Sequence, residues 1–158
     1  MKRFSLSLLS AVAAAACLVP VSSAVAADTP QPFAEIVGPV VMAKGGETAT
    51  VTARYSCVED THLWVSVKQM NSRLRDDNLM AEGSSGYADN WLQQHPQTLI
   101  CDGVRHLQKF VVDKKEITPW SPDPVGKGRL RRGQAWVQFC MTSENGFAYA
   151  LRWAEVRE

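Results

Sequence analysis

Apolar and polar side chains alternate along much of the chain, and this two-residue period is its dominant signal. The alternation is clearest over residues 47–57, where alanine, valine, tyrosine and cysteine interleave with threonine, arginine and serine. Successive side chains of a strand point to opposite faces, so the pattern predicts a strand with one buried and one solvated face. The glycine pair within residues 44–46 predicts a turn, and residues 37–43 are the expected partner strand.

The same period predicts further strands at 63–69, 97–101, 106–112, 134–141 and 147–156. Two long segments, 71–96 and 113–133, lack this two-residue period. Within the first, residues 87–94 could form a helical turn or two. The second segment holds three prolines, which lack the backbone donor that a central strand needs. About seven short strands joined by turns predict an all-β, antiparallel two-sheet sandwich with two long loops.

The N-terminus has the pattern of a secretory signal peptide over residues 1–26. Lys2 and Arg3 precede a largely apolar stretch, and Ala24-Val25-Ala26 offers a cleavage site. We expect a secreted protein, extracellular or in the cell envelope, with a mobile leader at 27–32 and one domain at 33–158. A lipid attachment at Cys17 fits less well, because Leu18-Val19-Pro20 continues the apolar stretch.

Removal of the signal would leave 132 of the 158 residues, with fifteen basic and sixteen acidic side chains. That length suits one domain with its own core. A nearly neutral chain argues against nucleic acid as a partner. No later apolar run approaches 18 residues, so no membrane span is expected.

Three cysteines remain after the signal: Cys57, Cys101 and Cys140. They allow three single pairings, among which the sequence does not choose. A Cys57–Cys101 bond would close a loop of roughly 45 residues and contribute about 4 kcal/mol. Cys140 would then be free, covered by the second sheet, or a link to another chain, which leaves a monomer and a Cys140-linked dimer open.

Three short motifs, residues 49–57, residues 64–69 and Cys101-Asp102-Gly103 with His106, resemble those of small secreted actinobacterial proteins. That group has an immunoglobulin-like β-sandwich and no assigned function. The resemblance implies the same fold here and Cys57–Cys101 as the shared bridge. Segment 71–96 is longer than the resemblance implies, and Cys140 is extra. No catalytic residues carry over.

Metal and catalytic signatures are weak. His62, His95 and His106 lack the close spacing that places two zinc ligands on one element. Residues 75–78 with Glu82 gather oxygen ligands that calcium prefers, but their spacing fits no EF-hand. No G-x-S-x-G elbow is present, and residues 83–86 are more simply a flexible loop. We therefore expect no metal, no cofactor and no catalytic residues.

Candidate binding residues fall in the two long segments. Trp91 and Trp120 could bind a glycan or a protein partner, or they could fold back and cap the core. Trp64, Trp136 and Trp153 lie on predicted strands and are expected to pack there.

A basic run spans residues 127–132 and includes Arg129, Arg131 and Arg132. It could contact a polyanion, or form a solvated loop balanced by the nearby acids at 113, 116 and 123.

Three functions follow from these patterns. The first is a secreted noncatalytic binding or interaction module for an extracellular protein or glycan. The second is a carrier of a small apolar molecule, held in a pocket between the long loops and the sheet. The third is a hydrolase, which would need a catalytic constellation that the sequence does not display.

Overall fold

The computed structural model describes residues 32–58, 61–95, 98–116, 123–144 and 146–158. The predicted signal peptide, and all of the predicted leader except Pro32, lie outside these ranges. Within them are one short 3₁₀ helix, Asp77–Met80, and seven strands: β1 (Phe33–Met42), β2 (Thr48–Ser56), β3 (His62–Gln69), β4 (Asn90–Gln94), β5 (His106–Asp113), β6 (Gly133–Ser143) and β7 (Gly146–Arg157). The all-β prediction is confirmed. In this described part, no helix has the length and apolar character needed to cross a membrane.

The seven strands form a closed barrel in the order β1-β2-β5-β4-β3-β6-β7, so the prediction of an immunoglobulin-like two-sheet sandwich is wrong. Closure depends on two short junctions between strands. Val40 and Val41 of β1 pair in parallel with β7, while residues 33–37, 41 and 42 pair with β2. Gln93 of β4 pairs with Asp113 of β5. The alternation of apolar and polar residues does not show which strand edges pair. It therefore could not distinguish a closed barrel from a two-sheet sandwich.

Two predicted elements differ from the structure between residues 87 and 101. Residues 90–94, predicted as part of a helical turn, form β4, which pairs with β3 from Val65 to Gln69. The described part of the predicted strand 97–101, residues 98–101, is irregular. There the N–H of Ile100 donates to the hydroxyl of Tyr55 instead of to a neighbouring strand, at 3.1 Å.

The predicted turn at residues 44–46 is present and packs against the segment that precedes β6. Gly46 has a φ of 71°, and a Cβ there would lie 2.1 Å from the carbonyl oxygen of Leu130. The N–H of Leu130 donates to the Gly46 carbonyl at 2.8 Å. Glycine is required here because both the backbone angle and the close approach exclude a side chain.

The barrel interior is filled by the inward faces of the strands around three aromatic rings. Phe110 lies edge-on to Phe139 with ring centroids 5.1 Å apart, and Tyr55 lies 5.8 Å from Phe110. The Tyr55 hydroxyl donates to the side-chain oxygen of Gln108 at 2.7 Å. The central rings are therefore packed against one another, and the polar atom of the buried tyrosine is satisfied.

The disulfide joins Cys57 to Cys101, as the resemblance implied, and Cys140 is a free, half-buried thiol. The bond ties the end of β2 to the irregular segment before β5. The N–H of Gly103 adds a hydrogen bond to the Cys57 carbonyl at 2.9 Å. In the part of the chain that the structure describes, no second sheet covers Cys140, which lies on the outside of the barrel across a groove from a neighbouring loop.

That loop is formed by residues 71–89, here called the cover segment, and it lies over the outward face of β3 and β6. Its base is closed by the N–H of Asn71, which donates to Asp89 at 2.7 Å. Leu79 and Ala88 of the cover segment pack on Trp136, whose ring meets that of Trp153 edge-on at 5.5 Å. The barrel therefore has a second apolar cluster outside its wall, and much of the first predicted long loop is an ordered cover.

Candidate functional site

The strand registers arrange the outward side chains of β3, β6 and β7 in three parallel rows. Each row has one residue from each strand: Trp64, Cys140 and Tyr149 in the first row; Ser66, Gln138 and Leu151 in the second; Lys68, Trp136 and Trp153 in the third. The cover segment packs over the third row, where Lys68 and Trp136 are buried. The first row and part of the second remain open to solvent.

A groove with a volume of about 610 Å³ runs along this open part of the wall. Trp64, Cys140, Tyr149 and Leu151 form its strand side, while the cover segment contributes Met80 and Glu82. Phe147 extends the strand side at the start of β7, with its ring stacked 5.9 Å from that of Tyr149.

The apolar side chains of β7 in this groove are unusually exposed for large hydrophobic residues in a strand. Phe147 is 69% exposed, Tyr149 59% and Leu151 41%. Large apolar side chains that are exposed together, rather than singly, are typical of binding surfaces.

Hydrogen bonds hold the polar groups beneath the groove in place. The Trp64 indole N–H donates to the side-chain oxygen of Gln93 at 3.0 Å, which holds the ring against the wall. Buried Ser66 donates to Gln138 at 3.3 Å. These pairs satisfy the polar atoms within the wall, so the groove surface above them is mainly apolar.

Lys68 lies at the covered end of this site and is only 1% exposed, although it points outward from the barrel. Its ammonium donates to the Ser84 hydroxyl at 2.9 Å, and that hydroxyl donates to the Leu79 carbonyl at 2.7 Å. The Lys68 Nζ atom also lies 5.8 Å from the centre of the Trp64 ring. No carboxylate among the described residues lies within 4.0 Å of this nitrogen.

Burial and mutual charge shift the pKa values of Lys68 and Cys140 in opposite directions. Burial lowers the pKa of Lys68, and its interaction with Cys140 opposes that change. Burial raises the pKa of Cys140, and the nearby Lys68 charge lowers it again. Desolvation is the larger cause in both cases, so burial makes the ammonium of Lys68 and the thiolate of Cys140 less favourable than they are in water.

A lysine beside a serine hydroxyl is also the arrangement that activates the nucleophile of Ser–Lys hydrolases. Here the Ser84 proton points to the Leu79 carbonyl rather than to the amine, and Ser84 is only 6% exposed beneath the cover segment. The Lys68–Ser84–Leu79 hydrogen bonds therefore hold the cover segment against the wall. They do not present a nucleophile to the groove.

The predicted basic run does not join this groove, and two of its arginines are paired. Arg129 contacts Glu47 at 3.1 Å and Arg132 contacts Glu158 at 3.3 Å. Arg131 is exposed, and its backbone N–H donates to the side-chain oxygen of Gln69. Of the three acids predicted to balance the run, Asp113 accepts a hydrogen bond from Thr48 and Glu116 contacts His95.

Of the two loop tryptophans, Trp91 is half-buried and packs against the outer cluster. Its backbone pairs with that of Lys127, which joins β4 to the basic run. Trp91 is thus mainly a packing residue, whereas Trp120 lies outside the described residues. Trp136 and Trp153 pack against each other, as expected for strand tryptophans, but Trp64 lines the groove.

His95, His106 and the acidic loop have local structural partners. His106 pairs with Asp102 at 2.8 Å, and this contact holds the pKa of Asp102 below its usual range. Asp76 caps the 3₁₀ helix and accepts a hydrogen bond from the Tyr87 hydroxyl at 3.0 Å. Over the described ranges, no group of three histidine, cysteine or acidic side chains could hold a metal ion.

The sequence did not identify Lys68 and Ser84 as a pair, and it did not reveal the groove. One usable signal was present in β7, where Phe147, Tyr149 and Leu151 alternate with Ala148 and Ala150. The structure shows that the larger side chains of this stretch face outward. A strand with apolar residues on both faces indicates that its outer face is covered or binds something.

The chain matches no known protein-family model, and no curated protein sequence is significantly similar to it.

Proposed function

We propose that the chain is a secreted, noncatalytic binding module whose ligand is a small apolar molecule bound in the groove of β3, β6 and β7. Secretion is supported by the signal-peptide pattern of residues 1–26 and by the Cys57–Cys101 disulfide, a bond typical of proteins outside the cytoplasm. The resemblance to small secreted actinobacterial proteins stays a prediction.

The exposed apolar residues of β7 facing the cover segment carry this proposal. Phe147, Tyr149 and Leu151 keep apolar surface in water, and burial of each ~100 Å² of such surface stabilises a complex by about 2.5 kcal/mol. The groove volume of about 610 Å³ falls within the range of roughly 300–1,000 Å³ that is common for small-molecule sites.

A small molecule fits the observations better than an extracellular glycan or protein. Glycan binding would be favoured by an exposed tryptophan with polar groups around it, but Trp91 is packed into the outer cluster and the groove around Trp64 is mainly apolar. The groove also lies between a strand and an ordered segment that is hydrogen-bonded to the wall through Ser84. This arrangement suits a ligand that enters between two preformed sides.

The proposal is tested with N-phenyl-1-naphthylamine, a neutral apolar dye whose fluorescence rises on transfer out of water. We expect the wild-type protein to bind it and Leu151→Arg to bind it at least about tenfold more weakly, because a guanidinium would occupy the groove. Val111→Arg is the matched control, because Val111 is similarly exposed, at 52%, on β5. Absence of dye binding, or equal binding by both variants, would contradict the proposal.

Cys140 provides an independent readout because it lines the groove. A bound dye should slow alkylation of this thiol by a small reagent such as iodoacetamide. If saturating dye leaves the alkylation rate unchanged, the dye binds elsewhere and the groove is not the site. A partner protein, rather than a small molecule, would be indicated if dye binding failed while a partner protected Cys140.

A further inference from the structure

We infer that the ligand of this groove carries a single carboxylate and that Lys68 is the residue that binds it. This inference rests on the proposed function and specifies the chemistry of the ligand. An amphipathic monocarboxylate, with an aliphatic chain and one acidic end, combines the two features required.

The first observation is the incomplete pairing of a buried cation. The Lys68 ammonium has three N–H donors and is 1% exposed, yet the Ser84 hydroxyl is its hydrogen-bond acceptor among the described side chains. No described carboxylate lies within 4.0 Å of it. A buried charge is costly unless it is paired, so the site favours an anion supplied from outside the chain.

The second observation is that the cation adjoins the apolar groove. Trp64 belongs to both places, since its ring lines the groove and its centre lies 5.8 Å from Lys68 Nζ. Cys140 also lines the groove, and the Lys68 charge affects its pKa. An apolar chain that crosses the groove from Leu151 on β7 to Trp64 on β3 would therefore place its end group near Lys68.

The charge of the site favours one negative charge over several. One ammonium offsets one carboxylate, while Glu82 on the cover-segment side of the groove would repel a headgroup of higher charge. The carboxylate would accept the Lys68 protons that Ser84 does not use. Ser84 would keep its own hydrogen bond to the Leu79 carbonyl. Because Lys68 is only 1% exposed and does not itself line the groove, the edge of the cover segment would shift to admit the carboxylate.

The test compares dodecanoate with 1-dodecanol, which has the same chain length and no charge, by displacement of N-phenyl-1-naphthylamine. Lys68→Met removes the charge and keeps most of the side-chain length. We expect this variant to bind dodecanoate about ten- to a hundredfold more weakly than the wild type and to bind 1-dodecanol equally well. Lys109→Met, at an exposed position of β5, should leave the binding of both compounds unchanged.

Equal dodecanoate binding by wild type and Lys68→Met would overturn the inference and leave the proposed function standing. Failure of both compounds and of the dye to bind the wild type would contradict the proposed function instead.

A second measurement needs no variant that might misfold: the pKa of Lys68, followed by NMR of its side-chain nitrogen. Dodecanoate should raise this pKa, because an adjacent carboxylate favours the ammonium, while 1-dodecanol should not. An unchanged pKa at saturating dodecanoate would also overturn the inference.

Discussion

Replacement of Lys68 by methionine should stabilise the unliganded protein, although it removes a hydrogen bond. The lost interactions are a charge-assisted hydrogen bond to Ser84, worth roughly 1.5–3 kcal/mol, and the contact with the Trp64 ring, worth about 0.5–1 kcal/mol. Against them stands the cost of burying an ammonium, which is several kcal/mol per ion even after relaxation. We expect the free energy of unfolding to rise by about 1 kcal/mol at pH 7.

The same substitution should alter the pH dependence of stability. Burial lowers the pKa of Lys68 in the folded state, whereas the unfolded chain keeps a value near 10.4. Between the lowered pKa and about 10.4, the unfolded state binds more protons, so stability rises with pH in this window. Below the lowered pKa both states are protonated and the full cost of burial is present. The Lys68→Met variant should not show this rise of stability with pH, because it has no group that titrates at this position.

Urea denaturation at intervals from pH 6 to pH 10 measures both effects, with the disulfide kept oxidised. Lys109→Met is the control, and its stability should stay within about 0.5 kcal/mol of the wild type because Lys109 is exposed. A Lys68→Met variant that is less stable than the wild type at pH 7, with the same pH dependence as the wild type, would refute the reasoning. The buried ammonium would then be well compensated and would not need an external anion.

Further predictions concern the disulfide, the thiol, the cover segment and the Gly46 turn. Replacing Cys57 and Cys101 by alanine should lower the unfolding free energy by about 4 kcal/mol, since the bond closes a loop with a sequence separation of 44; an unchanged urea midpoint would contradict this. Intact mass without reductant should show a monomer with one alkylatable thiol, Cys140, reacting more slowly than a model thiol because burial raises its pKa; a mass of two chains that halves on reduction would show a linked dimer. Leu79→Ala should lower the free energy of unfolding by about 2–5 kcal/mol and speed amide hydrogen exchange first in the cover segment. An equal increase in exchange throughout the protein would contradict the separate packing of the cover segment on the wall. Gly46→Ala should destabilise the folded protein by more than about 1 kcal/mol in thermal unfolding, because Gly46 lies close to the segment before β6. An unchanged unfolding temperature would contradict this close approach.

The strands that the sequence predicted correctly are those whose alternation reports burial directly. β2 is an example, because its inward residues, including Val51 and Tyr55, are all buried in the barrel. The closure of the barrel was not predicted, because it depends on which edges meet. The parallel pairing of Val40 with Val156 joins residues at opposite ends of the domain, and the pattern within either strand is the same with or without it.

The candidate site was harder to predict because its key residue contradicts its local pattern. Lys68 follows Trp64 and Ser66 on the outward face of β3, where a lysine is expected to be solvated. Its burial results from the cover segment, which a polar, glycine-bearing sequence marks only as a loop. Leu79 and Ser84, which hold that segment down, are single residues without a periodic neighbour. The side chains that make the groove selective are thus set by tertiary contacts.

The most direct test of a ligand-binding groove is an amide-correlation NMR titration of the wild-type protein with dodecanoate. We expect the largest shifts at Trp64, Cys140, Tyr149 and Leu151, together with a shift of the Lys68 side chain, and little change at Val111 on β5. Shifts confined to other parts of the barrel, or none at saturating dodecanoate and 1-dodecanol, would contradict the account.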